Sequence, residues 1–227
     1  MPRATRWNLA SQYLSLGLNL ASGLLLTPSV LGYVAPAQYG AWLLTGDVLS
    51  WLSLVDPGIS AVLGQRVAAQ FGAGNQAEIG ALTGAGLLVT VAVTVLLLAL
   101  GFGLAPWLNQ LVTLPAAELV ELRAAFFVAL LGTGLVLFSH SLVAVTQGLQ
   151  SGPANAVIYN GSLLASLALT LILLKNDFGL LALAYPIALR GGLYTLGNAL
   201  YLNRRFRREG IRLTVRRGGV QKILRPA

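Results

Sequence analysis

The feature that most constrains this chain is the repetition of long apolar runs. Six stretches, at about residues 7–31, 39–64, 79–104, 119–147, 155–174 and 180–202, each hold about 20 or more largely apolar residues. Helices of that length cover the roughly 30 Å of hydrocarbon in a bilayer. Within hydrocarbon every backbone polar group must be paired inside the protein, which leaves helices or closed barrels. The expectation is an all-α membrane protein with six transmembrane helices. Charged residues make up only 10% of the chain, against about 25% in soluble domains. There is no cysteine, which excludes a disulfide framework and a thiolate metal site.

The charges are unevenly placed. The net charge is +8, and nine of the fifteen basic residues lie between Arg204 and Arg225, directly after the last apolar run. That position argues against nucleic acid and for a juxtamembrane basic tail, residues 204–227, whose neighbours are anionic lipids. Basic residues collect on the cytoplasmic side of a membrane. Placing the N-terminus inside puts Arg3, Arg6, Arg66 and the nine of the tail there. Lys175 and the edge residue Arg123 then lie outside. Both termini are therefore expected in the cytoplasm. Ala35-Pro36-Ala37 faintly resembles a signal-peptidase site, but the apolar run before it is too long for a signal peptide.

The second run carries two carboxylates, Asp47 and Asp56, with a break at Asp56-Pro57-Gly58. A carboxylate deep in hydrocarbon costs about 2.5–3.5 kcal/mol on insertion scales, so at least one of the two is expected to have a use. Asp before Pro is a helix-start signal, with Asp56 as N-cap and Pro57 at the first helical position. Broken helices at membrane depth line cavities in transporters. Arg190 in the sixth run lies at a depth similar to that of Asp47. Either the two pair, or the planar fork of Arg190 meets an anionic ligand. His140, between Ser139 and Ser141, reads as a hydrogen-bonded packing residue or a proton relay.

Polar residues recur at helical spacing in three runs: Asn8, Gln12, Ser15, Asn19 and Ser22; Asn155, Tyr159, Ser162, Ser166 and Thr170; Arg190, Tyr194 and Asn198. Each set shares a helix face. The sets either pair between helices or line one hydrophilic cavity. Gly80-x-x-x-Gly84 signals close helix packing. The Gly72-x-Gly74 loop follows no strand, so it is no phosphate loop. No zinc-protease motif, nucleophile elbow or paired acidic motif occurs, and neither a metal, a cofactor nor enzymatic activity is expected.

Pro28, Leu31-Gly32, Pro36, Tyr39-Gly40, Trp42, Asp56 with Gly58, Arg66 and Gly74-Asn75 carry a resemblance. Gln147-Gly148-Leu149-Gln150, Asn155 and Gly179-Leu180-Leu181-Ala182 extend it. On these residues the chain resembles the bacterial oligosaccharide (O-antigen type) flippases of the multidrug/oligosaccharidyl-lipid/polysaccharide exporter superfamily. Pro57 departs from the family pattern, which has a large apolar residue there.

The resemblance implies the N-terminal lobe of a two-lobe transporter. Residues 1–203 would form the lobe, and residues 204–227 the tail or the start of a linker between lobes. A second lobe or a second copy would complete the molecule. The implied task is moving an undecaprenyl-diphosphate-linked oligosaccharide across the bacterial inner membrane, for polysaccharide or lipopolysaccharide synthesis. Arg190 would contact the diphosphate, and Asn19, Asn160, Tyr194 and Asn198 the sugar. Asp47 would hold Arg190 in the absence of substrate, with Asp56 and His140 as further ion-pair or coupling groups. Two other readings stay open: a cation-coupled multidrug exporter of the same superfamily, and a non-transporting structural membrane subunit.

Overall fold

The computed structural model describes the backbone of residues 3–54 and 58–214, with side chains from Tyr13 onward. These residues form helices and no strand. In chain order they are α1 (Arg3–Leu31), α2 (Pro36–Ser53), α3 (Ile59–Gly72) and α4 (Gln76–Leu104). A 3₁₀ turn (Ala105–Trp107) and the short α5 (Leu108–Leu111) follow, then α6 (Ala116–Gly148), α7 (Gly152–Lys175) and α8 (Leu181–Glu209).

The expected runs are helical over their described residues except at the break in the second, and among the described residues four stretches are long and apolar enough to cross a membrane: Tyr13–Leu31, Gln76–Leu111, Ala116–Gly148 and Gly152–Lys175. The other two runs differ for physical reasons. The second is divided into α2 and α3, of 18 and 14 residues. The sixth, α8, is diluted by Arg190, Tyr194 and Asn198. It also runs on through Arg204, Arg205, Arg207 and Arg208 to Glu209, so the start of the expected tail is helical.

The division falls where the sequence places it, but its cap does not. Gly58 occupies the N-cap position of α3 at φ 82°, and Ile59 is the first helical residue. Positive φ is cheap only for glycine, so the chain turns at Gly58 and the helix starts after it rather than at Pro57. Asp56 and Pro57 themselves lie outside the described residues.

The 33-residue α6 is the central post. At 1.5 Å per residue it is roughly 50 Å long, enough for α2 and α3 to lie end to end beside it. The α2 side joins a core of Leu49, Leu52, Leu97, Leu122, Phe126, Leu130 and Leu137. The α3 side joins a second core of Leu63, Val67, Ile79, Leu82, Val145, Leu202 and Phe206. Along α6 the two meet near buried Ser139, Ser141 and Thr146, where the Thr90 and Ser141 hydroxyls hydrogen-bond each other.

Glycine sets the closest helix crossing. A Cβ on Gly191 of α8 would stand 2.6 Å from the Gly132 carbonyl oxygen of α6. A Cβ on Gly132 would stand 2.6 Å from the Ala188 nitrogen. The small-residue signal at Gly80 has a different use: Gly80 packs against the Arg212 carbonyl, where the chain leaving α8 crosses the start of α4. At the far end of α8, a Glu121 carboxylate oxygen accepts the Leu180 N–H at 2.7 Å. It thereby caps a backbone donor at the helix start and ties the α7–α8 turn to α6.

Candidate functional site

A cavity of about 260 Å³ lies between α1, α2, α7 and α8. Ser22 and Leu26 come from α1, Tyr39 and Trp42 from α2, Ser166 and Thr170 from α7, and Ile187 and Arg190 from α8. One member at least of each polar stripe therefore reaches the same space. The hydroxyls of Ser166 and Thr170 donate to carbonyls of their own helix, at 2.8 and 2.9 Å. Toward the cavity they present acceptor lone pairs.

Among the described residues lining the cavity, Arg190 is the only charged one. Its Nη2 donates to the Tyr159 hydroxyl at 2.8 Å, and its Cζ lies 5.0 Å from the Tyr159 ring centroid. A guanidinium has five N–H donors, so most of its capacity is left for a ligand. The Tyr159 ring in turn rests edge-on against Tyr194, with centroids 5.6 Å apart.

Below the cavity the stripes bond to one another instead of opening. Asn19 Nδ2 donates to the Tyr159 hydroxyl at 2.9 Å and to the Ser15 carbonyl at 2.7 Å. The Ser15 hydroxyl donates to Asn160 Oδ1 at 2.9 Å, which pins α1 to α7. The Tyr194 hydroxyl donates to Asn155 Oδ1 at 3.0 Å. Asn198 is fully buried, with its amide nitrogen on the Tyr194 carbonyl at 3.0 Å and its oxygen on the Thr146 hydroxyl at 3.3 Å. Asn198 and Tyr194, expected as sugar contacts, are engaged here in bonds between and within helices. Asn19 and Asn160 are half-buried at the α1–α7 seam; both amide atoms of Asn19 meet the Tyr159 hydroxyl, and Asn160 bonds across the seam through Oδ1.

The expected Asp47–Arg190 pair is not formed. Asp47 sits on the exposed face of α2 with Leu43 and Trp51, and no ion pair joins it to Arg190. The reason is angular: Leu49 and Thr45 face inward on α2, and Asp47 lies midway between them in sequence, about 200° round the helix from each. His140 is also away from Arg190. It is exposed on α6, between a groove of about 490 Å³ with Ser60, Gln65 and Gln147 and one of about 320 Å³ with Ser50, Ser53 and Thr133. Asp56 lies outside the described residues.

Tyr159, absent from the expected set, is where Arg190 and Asn19 meet. The stripe it belongs to and its spacing from Arg190-bearing α8 gave no sign that its hydroxyl would join α1 to α8. Tyr39 and Trp42, the aromatic wall of the cavity, carried a signal only as resemblance residues. Among the described residues no group of His, Cys, Asp or Glu could hold a metal ion. No family model matches the chain, and no curated protein or solved structure matches it either.

Proposed function

We propose that the chain is a membrane lobe of a flippase that moves an undecaprenyl-diphosphate-linked oligosaccharide across the bacterial inner membrane. In this reading it has six spans with both termini in the cytoplasm, and it is a transporter rather than an enzyme. The observation that carries the proposal is Arg190: a guanidinium at a cavity, held by a phenol rather than a carboxylate, with donors to spare. Charge-assisted bonds from arginine to phosphate are among the strong ones and favour bidentate geometry. The aromatic wall of Tyr39 and Trp42 suits the apolar face of a sugar or the start of a prenyl chain.

The cavity, at about 260 Å³, is slightly smaller than the roughly 300–1,000 Å³ typical of ligand sites. It suits a diphosphate with adjoining atoms, not a whole oligosaccharide. The glycan would run on into a second lobe or a second copy. A cation-coupled drug exporter needs a carboxylate where cargo or ion binds, whereas the one charged group among the described lining residues is the cation Arg190, which favours an anionic cargo.

Binding of an undecaprenyl-diphosphate-linked oligosaccharide to the protein in nanodiscs tests the proposal. Wild type should bind, Arg190→Gln should bind at least tenfold more weakly, and Arg190→Lys should fall between. Equal binding by wild type and Arg190→Gln, both folded, would remove the diphosphate role. Absence of binding by wild type would remove the substrate assignment.

A further inference from the structure

Beyond Leu202 the last helix continues to Glu209, and this extension is rigidly seated. Arg205 Nε donates to Glu209 Oε1 at 2.9 Å, its Nη1 donates to the Ser151 hydroxyl, and its Cζ lies 5.5 Å from the Phe71 ring centroid. One arginine therefore docks the extension on α3 and on the α6–α7 turn. It also occupies the nearest carboxylate.

The arginines beside it are in a different state. Arg204, Arg207 and Arg208 are exposed, and among the described residues none has an ion pair or a hydrogen-bonded partner. At about 100° per residue, Arg204 and Arg207 continue the face that carries Leu193, Leu196 and Leu200 one to three turns earlier. Those leucines are 39%, 61% and 57% exposed. An uncovered apolar stripe thus runs directly into uncompensated guanidinium groups on a seated helix. A depression beside them is lined by Tyr201, Arg204, Arg205, Arg208 and Glu209.

We propose that this face of α8 binds an anionic phospholipid, with acyl chain along Leu193, Leu196 and Leu200 and headgroup phosphate between Arg204 and Arg207 or Arg208. Two features choose a lipid over a free phosphate. The apolar stripe leads into the basic one, which a small anion would not use. In the six-span reading, on which this argument rests, the arginines also begin where α8 leaves the bilayer, at headgroup depth, where a basic residue contributes about 1 kcal/mol toward an anionic surface. The site does not depend on the flippase reading, because neither the cavity nor Arg190 takes part.

The test is native mass spectrometry of the full chain in detergent, titrated with phosphatidylglycerol, with phosphatidylcholine, or with inorganic phosphate. Phosphatidylglycerol should bind at least tenfold more tightly than phosphatidylcholine. Neutralising Arg204, Arg207 and Arg208 to Gln should weaken it by about fivefold per arginine, while Arg→Lys at the same positions keeps most of the binding. Leu196→Ala with Leu200→Ala should weaken it with all charges in place. Neutralising Arg216, Arg217 and Arg225 in the tail is the control for simple attraction and should have the smaller effect. The proposal fails if the tail variant loses as much as the helix variant, or if the helix variant binds like wild type. It also fails if inorganic phosphate displaces the lipid at equal concentration, which would make this a site for a small anion.

Discussion

Gly191 and Gly192 are neighbours on α8 with opposite surroundings, and alanine at Gly191 should leave the protein less stable than alanine at Gly192. A Cβ on Gly191 would lie 2.6 Å from the Gly132 carbonyl oxygen and 3.0 Å from Leu135 Cβ, whereas one on Gly192 meets nothing within 4 Å. The first distance is 0.8 Å inside the 3.4 Å at which ordinary contact begins. The offending oxygen is backbone, so relief requires the two helices to part along their crossing. Such overpacking costs about 1–3 kcal/mol. Both substitutions gain the same helix propensity, about 0.8–1.0 kcal/mol over glycine. Gly192→Ala should then be stabilising or neutral, and Gly191→Ala about 1–3 kcal/mol less stable than Gly192→Ala. Reversible unfolding of the purified protein in mixed detergent micelles reads the difference directly. Gly132→Ala disturbs the same crossing, so combining it with Gly191→Ala should cost less than the two separately, because helices already parted have room for both methyls. Equal stability of the Gly191 and Gly192 variants would refute the close crossing and with it the account of how α6 holds α8.

The remaining predictions concern the turn at the start of α8, the hub at Tyr159 and the topology. Glu121→Ala leaves the Leu180 N–H without its acceptor and should cost about 1–3 kcal/mol, with Glu121→Gln retaining much of the stability in the same unfolding assay. Tyr159→Phe keeps the ring under Arg190 but removes the hydroxyl shared with Asn19. It should cost about 1 kcal/mol and raise labelling or proteolysis at the α1–α7 seam, whereas an unchanged seam would mean that the hydroxyl holds nothing. Cysteines introduced near Asn75 and Asn176 into this cysteine-free chain should be reachable from outside only near Asn176; labelling of both, or near Asn75 alone, rejects the six-span topology.

Much of the helix pattern was legible because length and apolarity decide it. The break in the second run was readable from Asp56-Pro57-Gly58, since proline and glycine act through the backbone itself. Its cap was not, because either residue could end the turn and only the φ of Gly58 selects one. The start of α4 was readable more sharply than the apolar run suggests: the Asn75 side chain accepts the Glu78 N–H at 3.2 Å, and Asn-x-x-Glu is a capping signal. The Gly132–Gly191 crossing left no comparable mark, since it joins residues of two helices that no local spacing relates. Gly80, which sits in a recognisable spacing, turned out to admit a loop carbonyl. Spacing shows that a helix face is small, and only the fold shows what comes against it.

The site was legible to the level of helix faces and no further. Periodicity correctly grouped Asn19, Tyr159 and Arg190 on facing stripes, but each polar group then had a choice of partners, and the choice sets the electrostatics. An aspartate beside Arg190 would have cancelled its charge and, in a medium of low dielectric, would have competed with any anionic ligand for the same donors. Tyr159 offers a hydroxyl acceptor and an aromatic face instead. A cation over an aromatic ring gains about 0.5–2 kcal/mol, and the hydrogen bond adds to that, yet the pair keeps a full positive charge. Arg190 is thus held in place without being neutralised, and the energetic deficit of an uncompensated cation beside a cavity is what an entering diphosphate would relieve. In the six-span reading Asp47, on the outer face of α2, is a separate charge whose cost in hydrocarbon would be about 2.5–3.5 kcal/mol, so water or further protein against that face would be the cheaper surroundings, as they are for Arg190.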